Sequence, residues 1–76
     1  MTKAEKILAA LGGDANVIEL EPCITRLRVE VQDPSLVDEP GLKAAGAIAV
    51  VRSGIAVQVI VGPEADTLAS DIEDLR

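Results

Sequence analysis

Between Cys23 and Arg28 the chain places a thiol, a hydroxyl and two guanidiniums in the run Cys23-Ile24-Thr25-Arg26-Leu27-Arg28. A thiol in that company is a candidate nucleophile, because nearby cations favour the reactive thiolate. The same cations can then hold an anion formed on the sulfur. A phosphoryl group suits the set: each charge-assisted hydrogen bond to it contributes about 1.5–3 kcal/mol, and the planar fork of arginine meets phosphate oxygens in pairs. The amides of Ile24, Thr25 and Arg26 are expected to form a small anion-binding nest, with the Thr25 hydroxyl as a further donor. On this reading Cys23 attacks, and Ile24, Thr25, Arg26 and Arg28 bind the phosphoryl group.

Histidine is absent. There is therefore no Cys-His dyad, no Ser-His-Asp triad and no imidazole metal site, and no cofactor or metal is expected. Activation of Cys23 falls to cations and backbone amides. The spacing of a protein-tyrosine-phosphatase loop, in which the arginine lies further from the cysteine, is not present. Blander readings stand beside the phosphoryl site. A lone cysteine is commonly a small buried hydrophobe, and the arginines then form a solvated strand face in a non-catalytic interaction domain. A redox sensor is disfavoured, since no second cysteine exists to resolve a sulfenic acid.

Composition narrows the classes further. Seventy-six residues allow one domain, residues 1–76, and a chain this short buries only about 60% of its unfolded surface. With no Phe, Tyr or Trp, the core must come from Leu, Ile, Val and Ala, and no aromatic platform exists for stacking bases. The net charge of −6 would repel a phosphate backbone, so nucleic acid is not an expected partner. One cysteine cannot form an internal disulfide, which suits a reducing cytoplasm. The N-terminus reads as no signal peptide, and the apolar run Ala44 to Val51 is far short of the roughly 20 residues that cross a bilayer.

The elements that must position the cysteine stretch follow from caps and periodicity. Thr2-Lys3-Ala4-Glu5 fits a capping box, and Ala4, Ile7, Leu8 and Leu11 fall on one face of a helix over residues 3–11 that Gly12-Gly13 ends. Asn16 to Leu20 predicts a strand that stops before Pro22, a residue without a ladder amide. Cys23 then lies in the turn before a second strand, Thr25 to Gln32. There the alternation points Leu27, Val29 and Val31 inward, and Arg26, Arg28 and Glu30 outward.

Asp33-Pro34-Ser35 breaks that strand, and Pro40 to Ala45 predicts a short helix with Gly46 past its end. Ile48–Arg52 and Ile55–Val61 read as strands around a Ser53-Gly54 turn, with Gln58 a lone polar group in the second. Gly62-Pro63-Glu64 opens a last helix that buries Ala65, Leu68, Ala69, Ile72 and Leu75. The expected architecture is an α+β two-layer sandwich in the order α-β-β-α-β-β-α, a four-stranded antiparallel sheet with three helices on one face. Its other face stays open and carries the arginines.

Cys23-Ile24-Thr25-Arg26-Leu27-Arg28 resembles the C-x-T-R-L-R signature of the enzyme IIB domain of the bacterial sugar phosphotransferase system, glucose/N-acetylglucosamine branch. Asp33-Pro34-Ser35, Leu42-Lys43-Ala44-Ala45-Gly46-Ala47 and the later stretch from Gly54 through Gln58-Val59-Ile60 to Gly62-Pro63 are similar to that family in the same order. The resemblance spans nearly the whole chain. It implies that Cys23 accepts a phosphoryl group from a histidine of the enzyme IIA partner and passes it to a sugar held by the membrane enzyme IIC. It also implies that Thr25, Arg26 and Arg28 bind phosphate and that Gln58 faces the site. Glu21-Pro22 stands where many members have Asp-Ala, and Arg52-Ser53 replaces a more Gly- or Asn-rich turn.

Overall fold

The computed structural model describes residues 1–76. Its elements are α1 (Lys3–Ala10), β1 (Val17–Cys23), β2 (Arg26–Val31), α2 (Glu39–Ala44), β3 (Ala49–Ser53), β4 (Ala56–Ile60) and α3 (Ala65–Asp74). Short 3₁₀ turns at Asp14–Asn16 and Pro34–Leu36 join them. The expected α-β-β-α-β-β-α order holds. The sheet is antiparallel throughout, in the spatial order β1-β2-β4-β3, so each hairpin contributes one central and one edge strand.

Side-chain caps start α1 and α2 close to where the sequence predicts them, whereas α3 begins at Ala65, just after Gly62-Pro63-Glu64, with no side-chain cap bond. The Thr2 amide donates to Glu5 Oε1 at 2.8 Å and the Glu5 amide to Thr2 Oγ1 at 3.2 Å, closing the capping box. Hydrogen bonding from Thr2, its backbone amide first and its side chain second, holds the Glu5 carboxyl below the usual carboxylate range. Asp38 caps α2, its Oδ1 accepting from the Gly41 amide at 3.0 Å. Asp33 Oδ1 accepts from the Ser35 hydroxyl at 2.6 Å and the Ser35 amide at 2.9 Å, and both bonds lower its pKa, the hydroxyl more. The break after β2 is thereby an Asx-type turn.

Alternation along the strands sends Leu20, Leu27, Val29, Val31, Val57 and Val59 into one apolar layer. The helices cover it with Ile7, Leu11, Leu42, Leu68 and Ile72, of which Ile7, Leu11, Leu42 and Ile72 are wholly buried. The opposite face of the sheet has no layer over it. One polar side chain lies within the core: Asn16 donates to the Leu11 carbonyl at 2.7 Å and the Asp33 carbonyl at 3.1 Å, and accepts from the Asp33 amide at 2.8 Å. It ties the end of α1 to the end of β2. Gly12, at φ 104°, must lack a Cβ because one would lie 2.6 Å from the Asn16 amide nitrogen.

Several boundaries differ from expectation for physical reasons. β1 does not stop at Leu20 but runs through Pro22 to Cys23. Pro22 is tolerated because β1 is an edge strand, where a missing N–H costs no ladder bond. A bulge at Ile18 then shifts the register, so that Val17 faces Val31 while Glu19 faces Glu30. The second hairpin turns at Gly54-Ile55, one residue later than expected, with Ser53 facing Ala56. Leu75 leaves the apolar stripe of α3, 45% exposed as the helix cap.

Candidate functional site

Cys23 is the last residue of β1 and faces Arg26 across the ladder. It lies in the strand, not in the turn, which consists of Ile24 and Thr25 alone. The register sets rows across the open face. Cys23, Arg26, Ile60 and Ala49 make one; Glu21, Arg28, Gln58 and Val51 make the next. Side chains two apart on a strand share a face, so Cys23 and Glu21 flank the same side of the sheet as Arg26 and Arg28. The thiol is free and partly exposed.

The turn is held from below and open above. The Thr25 carbonyl accepts from the Val61 amide at 3.0 Å and the Gly62 amide at 2.9 Å, which pins the loop to the far end of β4. The amides of Ile24 and Thr25 donate to no other backbone group, leaving two donors for an anion beside the thiol. Arg26 belongs to β2, so the expected nest of three amides reduces to two loop amides plus a ladder residue. Ile24 has φ 57°. For a β-branched side chain that left-handed geometry is strained by about 1–3 kcal/mol, and burial does not offset it, since Ile24 is 86% exposed.

The guanidiniums are held differently. Arg26 Nη1 donates to Gln58 Oε1 at 2.6 Å, a bond that orients the fork of a half-buried side chain. Arg28 lies 3.9 Å from Glu21 Oε1, with both side chains more than half exposed. Such a pair is loose and screened. Together Cys23, Ile24, Thr25, Arg26, Arg28 and Gln58 line one open depression of about 330 Å³. The structure thus brings all six residues named from the sequence into one place. Glu21 joins them as the ion-pair partner of Arg28, a place the sequence does not assign it. Its signal is parity with Cys23, which shows only when the strand runs through Pro22.

Fold and side chains define a class: a small, open-faced α+β domain presenting a thiol, two guanidiniums and free loop amides at one corner of its sheet. The profile of the family "phosphotransferase system, EIIB" matches residues 5–38. Over 74 residues the chain is 60% identical to the PTS system N-acetylglucosamine-specific EIIB component of Streptomyces coelicolor, covering 97% of this chain and 96% of that protein. The fold is similar to the crystal structure of one domain of the PTS system IIabc component from Clostridium difficile, at a TM-score of 0.80 and 22% identity, covering 96% of this chain and 77% of that one. The chain belongs to the EIIB family of the phosphotransferase system. It is by that membership a phosphotransferase component, and no helix is long and apolar enough to cross a membrane.

Proposed function

We propose that residues 1–76 act as a single phosphocarrier domain in the uptake of N-acetylglucosamine. The Cys23 thiolate attacks the phosphorus of a phosphohistidine on enzyme IIA in line: the S–P bond forms as the P–N bond breaks, and the imidazole nitrogen keeps the electron pair. A hydroxyl of a sugar bound by the membrane enzyme IIC then attacks the same phosphorus. The S–P bond breaks, the thiolate is regenerated, and the hydroxyl proton passes to a base on the sugar-binding partner. Phosphoryl transfer asks mainly for positioning and charge compensation. Arg26 and Arg28 neutralise the phosphoryl oxygens, the amides of Ile24 and Thr25 with the Thr25 hydroxyl cradle them, and Gln58 aims Arg26. The domain works in the cytoplasm, at the inner face of the membrane beside enzyme IIC.

The observation that carries this reading is the grouping of a partly exposed thiol with Arg26, Arg28 and Gln58 around one depression on an otherwise bare sheet face. The sugar rests on the name of the Streptomyces relative. Reconstitution with phosphorylated enzyme IIA and vesicles carrying the cognate enzyme IIC tests it. N-acetylglucosamine should be phosphorylated and glucose much less. Equal rates would remove the sugar assignment, and no sugar phosphate with either would remove the carrier role.

A further inference from the structure

The open face divides by charge. Cys23 and Arg26 occupy one end, and Glu19 and Glu30, paired across the ladder, occupy the other. Arg28 stands at the boundary between Glu21 and Gln58. Its side chain also lines two adjoining depressions: the one around Cys23, and a second of about 250 Å³ that includes Glu19, Glu21 and Glu30. Arg26, by contrast, is fixed on Gln58 at 2.6 Å. Glu19 and Glu30 set like charges directly across the ladder, which is unfavourable, while the one carboxylate that Arg28 approaches is Glu21.

We propose that Glu21 is a positioning residue that competes with the phosphoryl group for Arg28. The inference rests on Cys23 being the phosphocarrier. In the free thiol state Arg28 leans toward Glu21, at 3.9 Å. A dianionic phosphoryl group on Cys23 draws it across to the other depression and leaves Glu21 without a counter-ion, on the same face two residues from the sulfur. Glu21 therefore works against the phosphorylated state. It raises the tendency of the group to leave for the next acceptor, because part of the stabilisation Arg28 offers is spent in breaking its existing pair. The looseness of the pair suits this task. A tight, buried pair would not open, whereas an exposed one at such a distance exchanges readily.

The test uses the full chain with phosphorylated enzyme IIA and reads the equilibrium ratio of phosphorylated to free domain by intact-protein mass spectrometry. Removing one unit charge at this range should move that ratio about 3- to 10-fold toward phosphocysteine in Glu21→Gln, and slow onward transfer to sugar by a similar factor. The phosphorus resonance should report a second ionisation at lower pH in that variant, a shift that a purely structural role would not cause. Glu21→Asp, which keeps the carboxylate, should stay near the wild-type ratio. Glu30→Gln removes the same charge from the same face but faces Glu19 rather than Arg28, and should shift the ratio less than about twofold. An unchanged ratio in Glu21→Gln, or an equal shift in Glu30→Gln, overturns the proposal while leaving the carrier reading intact. Failure of the wild-type chain to take up phosphoryl on Cys23 overturns both.

Discussion

Arg26 and Arg28 are spaced for one face of a strand, yet the structure gives them unequal freedom. Arg26 is bonded to Gln58, and Arg28 has only the loose Glu21 pair. Replacing either with Ala should slow transfer by about 10- to 100-fold, the loss of one charge-assisted contact to phosphate, while far-UV circular dichroism shows the fold unchanged. Gln58→Ala removes no charge and only releases the Arg26 fork, so a smaller loss, about 3- to 10-fold in single-turnover transfer, is expected. The grouping of Cys23, Thr25 and the arginines around one depression was legible in the sequence because they lie within six residues. Glu21 was not, because its relevance depends on strand parity across Pro22, and parity needs a strand. Nor was the strain at Ile24, which arises from closing a two-residue hairpin around a side chain ill suited to φ 57°.

At the scale of the elements, the helices and the inward alternation of β2 were readable because caps and periodicity are local. The structure departs from local expectation where the cause is non-local. Proline ends a central strand but not an edge strand, and only the order β1-β2-β4-β3 makes β1 an edge. The turn that carries the site invites a direct test of its strain. Ile24→Asn, a residue at ease in the left-handed region, should stabilise the domain by about 1 kcal/mol in urea unfolding, since the exposed isoleucine gives up little burial. The cap of the turn after β2 predicts a pH dependence. Folding lowers the Asp33 pKa from 3.8, so its contribution is complete well above that value and fades as pH falls through the lowered native one. Asp33→Asn should flatten that part of the acid titration of stability, measured by urea midpoints between about pH 6 and about pH 2.

Across the whole molecule, one face of the sheet is buried in the core and the other is bare. Helices cover one side of the sheet, where Leu27 is wholly buried, and Leu27→Ala should cost about 2–5 kcal/mol in chemical denaturation. Its neighbours in sequence, Arg26 and Arg28, point to the bare side and contribute little to that core. This division was foreseeable from alternation, but the meeting of Gln58 with the arginines depended on the pairing of β2 with β4, which no local pattern encodes. Asn16, the buried polar tie between α1 and β2, was likewise invisible, having read as the start of a strand. The sulfur of Cys23 is the atom proposed to take the phosphoryl group. Incubation with phosphorylated enzyme IIA, followed by intact-protein and peptide mass spectrometry, tests this most directly. One phosphoryl group on Cys23, lost in Cys23→Ser and blocked by prior alkylation, is the predicted result; equal labelling of the Cys23→Ser variant would contradict it.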